Sequence, residues 1–195
     1  PVDVIGMIMI HLAKKAKVPV CVHLDHATCI KTIKAAIDVG FTSVMFDGSQ
    51  LPFDENVALT KEVVAMAHPK DISVEGEIGA VGYSDPSIDF TPQYTEPEEA
   101  KEFARLTDVD ALAVAVGTVH RMVTQKACLQ FERLKRIKEL VNTPLVIHGA
   151  TGVAETGGPR AARAIEPTGT ALAAVTAVSA LATGAARVAR VATGP

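Results

Sequence analysis

The strongest constraint on this chain is a regular alternation of short apolar, β-branched runs with helix-patterned segments. Residues 18–24, 41–46, 72–78, 111–116 and 144–147 read as strands. Residues 5–17, 28–39, 56–68 and 129–141 carry amphipathic helical spacing, and Gly40 is a natural helix stop. Thr95-Glu-Pro-Glu98 has the form of a capping box with proline in the first turn, so a further helix is expected there. Strands that alternate with helices pair in parallel through right-handed crossovers. The result is either a (β/α)8 barrel or an open, doubly wound sheet.

The strand ends separate these two. Each strand runs into reactive or small polar groups: Asp25-His26, Asp47-Gly-Ser49, Glu75-Gly-Glu77, Gly117-Thr-Val-His120 and His148-Gly-Ala-Thr151. An open sheet concentrates its site at one switch point. A barrel gathers groups from many strand ends into one mouth. The barrel is therefore the expected fold class. A complete barrel needs roughly 250 residues, so it is expected to be incomplete in this chain of 195. The opening residues already read as mid-helix, which leads us to expect native sequence upstream.

Composition narrows the function classes. The net charge is −3 and there is no tryptophan, so neither a basic nor an aromatic platform for nucleic acid is present. No apolar run long enough to span a membrane and no signal peptide can be read, so a cytoplasmic protein is expected. Cys21, Cys29 and Cys128 form no CxxC pair, and they suit a reducing compartment better than a disulfide framework. After Gly152 the chain loses lysine, aspartate, asparagine, histidine and every aromatic residue. Residues 1–152 are read as a partial catalytic barrel, and 153–195 as an Ala/Gly/Thr-rich tail of doubtful sequence without a functional site.

His26, His120 and His148 stand at three different strand ends, which a barrel brings together. Imidazoles that leave an open coordination position suit a catalytic zinc. Asp25 is either a general acid/base beside that metal or a partner that orients a ligand imidazole. Asp47 and Glu77 are either ligands of a second cation position or polar lining. Glu75 alternates with Glu77 and ranks below it. Gly117-Thr118 and Gly149-Ala150-Thr151 place backbone N–H groups where they are either phosphate nests or tight turns. His11 and His68 read as helical, and His23 as buried within its strand. Lys31, Lys61, Lys101 and Lys135 read as helical and Lys126 as loop. No lysine closes a strand, which disfavours a Schiff-base enzyme.

At these residues the chain resembles the class II, zinc-dependent aldolases of fructose or tagatose 1,6-bisphosphate. The stretches that carry the likeness are Val18-Pro-Val-Cys-Val-His-Leu-Asp-His26, Gly40-Phe-Thr-Ser-Val-Met-Phe-Asp-Gly-Ser49, Ser73-Val-Glu-Gly-Glu-Ile-Gly79, Val109-Asp-Ala-Leu-Ala-Val-Ala-Val-Gly-Thr118 and Pro144-Leu-Val-Ile-His-Gly-Ala150. The resemblance implies a TIM barrel in a homodimer or homotetramer. It implies cleavage of a ketose 1,6-bisphosphate to dihydroxyacetone phosphate and glyceraldehyde 3-phosphate. It assigns His26, His120 and His148 to zinc, and Asp25 to the proton of the C4 hydroxyl. Asp47 and Glu77 match an alternative metal position, and Gly149, Ala150 and Thr151 match a loop on dihydroxyacetone phosphate. A monovalent cation accompanies zinc in many members.

The chain departs from the pattern in places. Arg121 stands where the family has a glycine whose backbone contacts phosphate, and is placed among the phosphate-binding candidates: a large cation there either assists phosphate binding or blocks it. Asp85 is the nearest match to a mobile carboxylate that shuttles the dihydroxyacetone phosphate proton. The family's first two strands and its last, substrate-contacting strand are not recognisable. Two other readings stay open: a metal-dependent barrel hydrolase, and an inactive remnant that binds metal or phosphate.

Overall fold

The computed structural model describes residues 1–85, 87–121, 127–150, 153 and 187–189. The elements run α1 (Val2–Lys15), β1 (Cys21–Ala27), α2 (Ile30–Val39), β2 (Ser43–Phe46), α3 (Phe53–Ala67), a 3-10 turn (His68–Lys70), β3 (Ser73–Ile78), β4 (Gly82–Tyr83), α4 (Pro97–Thr107), β5 (Ala111–Val114), β6 (Val119–His120), α5 (Phe131–Leu140), β7 (Leu145–Val146) and β8 (Arg187–Ala189). The main sheet has the order β7-β5-β3-β2-β1-β8, and β4 pairs with β6. The strands β1, β2, β3, β5 and β7 are parallel to their neighbours. Five parallel strands are thus laid side by side, four of them followed by a described helix, and the sheet does not close among the described residues.

The sheet has two unlike faces because successive strand residues point opposite ways. On one face Val22, Leu24, Val44, Phe46, Val74, Leu112 and Val114 pack under the helices with Ile33, Phe41 and Phe103. On the other face Met45, Ala113 and Val146 form a small separate cluster. Asp25, Glu75 and Glu77 fall on this second face by alternation. Strands covered on both sides read as nearly continuous apolar runs, which is why β2 and β5 are so plain in the sequence. Gly76 faces the helices and lets α4 approach: a Cβ there would stand 2.9 Å from Phe103 Cε1. Gly40 closes α2 in the left-handed conformation, φ 102°.

Two expectations need correction. The capping box does not form, because α4 begins at Pro97 after Glu96 without a side-chain cap. Thr95 is instead drawn into the sheet, where its Oγ1 donates to the Ile78 carbonyl and accepts from Ala115 N–H at 2.7 Å. That buried bridge between β3 and β5 replaces the exposed cap. Second, α3 starts at Phe53 rather than 56, because Phe53 packs on Phe103 at 6.3 Å between ring centroids. Within the segment read as a tail, β8 pairs antiparallel with β1. No described helix is long and apolar enough to cross a membrane.

Candidate metal centre

The site begins at an irregularity in β1. Its register with β2 slips between Leu24 and Ala27, the mark of a bulge. His26 sits there at φ 49°, in the left-handed region. Strict alternation would send Asp25 and His26 to opposite faces. The slip brings both to one side, with Asp25 Oδ1 3.9 Å from His26 Nε2. Such a residue holds roughly 1–3 kcal/mol of backbone strain, which surrounding contacts must sustain.

His148, at the end of β7, meets the same pair. Its Nδ1 is 3.9 Å from Asp25 Oδ1, and its ring centroid is 4.4 Å from that of His26. Asp25, His26 and His148 place one ligand atom each within 4.8 Å of one another. His120, on β6, adds a third imidazole 4.8 Å from His26 and 6.1 Å from His148, centroid to centroid. A second group of the same tightness is His26, Asp47 and Glu77. His26 Nδ1 donates to Asp47 Oδ2 at 2.9 Å and lies 3.7 Å from Glu77 Oε2. The two groups share His26 at their junction.

Several polar atoms of this cluster are buried without a hydrogen-bond partner. They are both oxygens of Asp25, His26 Nε2, Glu77 Oε2 and Thr118 Oγ1. Each such orphan costs about 1–3 kcal/mol, and a divalent cation would satisfy most of them together. The set of imidazoles and carboxylates suits zinc. The residues therefore fit a metal.

Protonation tells the same story. Burial raises the Glu77 carboxyl, and the charge of Asp47 raises it further, to about 8. Burial opposes a charge on His148, but its hydrogen bond to Glu75 and that carboxylate's charge carry it up to about 9. His120 is pushed down to about 3, by burial first and then by the charges of His26 and His148. Asp47, although buried, is drawn down to about 2 by its hydrogen bond to His26. Without a cation, protons on His148 and Glu77 balance the crowded carboxylates.

The other expected residues are placed unevenly. Gly149, φ 66°, lies against the Val119–His120 backbone: a Cβ would come within 2.7 Å of the Val119 carbonyl carbon. Ala150 follows it in the same turn. Gly117, φ 101°, faces the Cys128 carbonyl, so it serves a tight chain crossing. Asp85 is not brought to the centre. It lies on an exposed turn, where its Oδ1 accepts from Ser87 N–H at 2.9 Å and from Ser87 Oγ. Arg121 stands at the mouth beside His120. Thr151 and Lys126 lie outside the described residues. His11 lies on α1, and His68 pairs with Asp110 at 3.0 Å, far from the chemistry.

Sequence reasoning undervalued two residues. Glu75 is buried and accepts from His148 Nε2 at 2.7 Å. Behind it His23 Nε2 lies 3.6 Å from Glu75 Oε2, and its Nδ1 is hydrogen-bonded to Ser43 Oγ at 2.7 Å. The even spacing of 23, 25, 75 and 77 on inward positions was the available signal. Tyr83, stacked on His120, gave none.

The profile of the family "fructose-bisphosphate aldolase class-II" matches residues 1–187. The chain belongs to this family. It is 49% identical over 146 residues to a fructose-bisphosphate aldolase of Giardia intestinalis, covering 73% of this chain and 45% of that protein. It is 47% identical over 136 residues to a 6-phospho-5-dehydro-2-deoxy-D-gluconate aldolase of Shouchella clausii, covering 70% and 46%. The crystal structure of the YdjI aldolase from Escherichia coli K12 superposes with a TM-score of 0.67 at 39% identity, over 79% of this chain and 53% of that one. A putative fructose-1,6-biphosphate aldolase from Coccidioides immitis gives 0.69 at 36%, over 76% and 54%. The chain thus spans about half the length of these relatives. Its five parallel strands are a portion of the family's TIM barrel, and the face that carries Asp25, Glu75 and Glu77 corresponds to the barrel interior.

Proposed function

We propose that the chain carries the metal half of an aldolase centre that cleaves and forms a ketose 1,6-bisphosphate, of fructose or tagatose type. The products of cleavage are dihydroxyacetone phosphate and glyceraldehyde 3-phosphate. His26, His120 and His148 would hold zinc, with Asp47 and Glu77 offering an alternative position through the shared His26. Bound there, zinc would supply positive charge against the negative charge that grows on the substrate oxygen as the carbon–carbon bond opens.

The observation that carries this reading is Asp25. Its carboxylate is buried, lacks a hydrogen-bond partner and lies 3.9 Å from nitrogens of both His26 and His148. A carboxylate so placed accepts the C4-hydroxyl proton and returns it in condensation. Glu75 holds the His148 imidazole by its far nitrogen and so aims Nδ1 at the centre. Gly149 and Ala150 stand at the turn after His148, and on this reading they, Thr151 and Gly117 contact the dihydroxyacetone phosphate. A homo-oligomer in the cytoplasm, and a monovalent cation beside the substrate, belong to the same reading.

The test is an aldol-cleavage assay of zinc-loaded and EDTA-treated protein on fructose 1,6-bisphosphate, tagatose 1,6-bisphosphate and 6-phospho-5-dehydro-2-deoxy-D-gluconate. Zinc-dependent release of triose phosphate from one of the bisphosphates is expected. Turnover of the gluconate derivative alone would move the substrate class. No turnover with zinc on any of the three would overturn the reading.

A further inference from the structure

Arg121, beside His120, has no role in the zinc chemistry. It follows His120 directly and has φ 53°, a left-handed conformation that strains a side-chain-bearing residue and suits glycine. The backbone around it is tied down. Tyr83 pairs with His120 across β4 and β6, Ser84 N–H donates to the His120 carbonyl at 3.0 Å, and Ser84 Oγ donates to the Arg121 carbonyl.

The side chains are ordered as well. The Tyr83 ring stacks on His120, 4.8 Å between centroids at 27°. Phe90 braces Tyr83 edge-on at 5.1 Å. The Arg121 guanidinium stands over Tyr83, 5.9 Å from its centroid. One phenol ring therefore touches both a candidate ligand imidazole and a fixed cation. A cation–π contact of this kind leaves the guanidinium N–H donors free. Elsewhere Arg105, Arg133 and Arg136 each pair with a glutamate. Among the described residues no carboxylate pairs with Arg121. Its charge is felt at the site: it adds to the forces that disfavour a proton on His120, behind burial and the other two histidines.

We propose that Arg121, held by Tyr83, is a specificity-determining residue that takes an anionic group of the substrate, a phosphate or a carboxylate. This rests on the aldolase reading for the substrate class. A bisphosphate carries a second phosphate, and a phosphorylated gluconate derivative carries a carboxylate. The planar fork of arginine matches either group with two parallel hydrogen bonds.

The test is anion titration of the full chain in the presence of EDTA. Calorimetry and the arginine Nε–Hε NMR signals follow inorganic phosphate in one arm and malonate in the other. Saturable binding that moves the Arg121 signal is expected, and the arm that binds more tightly names the group. Arg121→Gly removes the cation and relieves the backbone strain, so its melting temperature is expected to hold or rise while anion affinity falls about tenfold or more. Arg121→Lys is expected to keep phosphate better than malonate, since an ammonium lacks the fork. Unchanged affinity in Arg121→Gly, or no binding of either anion by the parent chain, would overturn the proposal. The titration contains no free metal and no turnover, so failure of the aldolase reading leaves its outcome intact, and its own failure leaves zinc-dependent cleavage untouched.

Discussion

His148 donates its Nε2–H to Glu75 Oε1 at 2.7 Å, and both side chains are buried. That bond leaves Nδ1 as the nitrogen facing Asp25 and His26. Glu75 therefore decides which nitrogen His148 can offer a metal. Glu75→Gln is expected to keep the fold and lower zinc affinity by about 10–100-fold, the usual cost of losing a partner behind a ligand histidine. Competition with a chromophoric chelator measures it, with circular dichroism as the control. Zinc affinity within twofold of the parent would remove Glu75 from that role.

Asp25→Asn separates metal binding from proton transfer. The amide matches the carboxylate in size and cannot accept the C4-hydroxyl proton as a base. Cleavage should fall by about 10²–10⁴-fold, the range for one general acid/base group, while zinc still binds. An equal loss of zinc would recast Asp25 as a ligand.

Zinc should stabilise the folded chain. The orphaned atoms of Asp25, His26 and Glu77 would gain a partner in a bound cation. At a free zinc concentration of 100 times the dissociation constant, linkage adds about 2.7 kcal/mol. The readout is the urea midpoint with and without zinc. In His148→Ala the increment should vanish.

Asn56 ties α3 to the acidic strand. Its Nδ2 donates to the Glu77 carbonyl at 2.9 Å, and its Oδ1 accepts from Thr60 Oγ1 at 3.1 Å. Asn56→Leu strands both groups in the core, and a cost of about 1–3 kcal/mol is expected. Urea unfolding should show it as a lower midpoint at constant slope.

Gly76→Ala tests the packing behind the site. The added Cβ would stand 2.9 Å from Phe103 Cε1. Since β3 carries Glu75 and Glu77, the shift needed to relieve that contact would disturb both. A loss of about 1–3 kcal/mol is expected from overpacking, together with weaker zinc binding.

Much of this was legible in the linear chain. The βα alternation, the helix stop at Gly40 and the gathering of strand-end histidines follow from periodicity and residue type. Those are local properties, because a strand buried on both faces must be apolar and chemistry must fall at its end. Where the local signal misled, a long-range partner overrode it. Thr95 had the pattern of a helix cap, but the buried Ile78 carbonyl and Ala115 N–H between β3 and β5 claimed its hydroxyl. His23 read as a plain core histidine, and its contact with Glu75 depends on two strands far apart in the chain.

The order of residues alone determined the fold class, the acids and imidazoles available, and the strand ends at which they stand. Tertiary structure decided which of them act together. The bulge in β1 turns Asp25 and His26 to one side, Glu75 selects a nitrogen of His148, Asp85 is left on an outer turn, and Tyr83 joins Arg121 to His120. Each of these depends on the register between strands or on a ring contact across them. Such relations exist only once distant segments have packed, so periodicity and composition carry no trace of them.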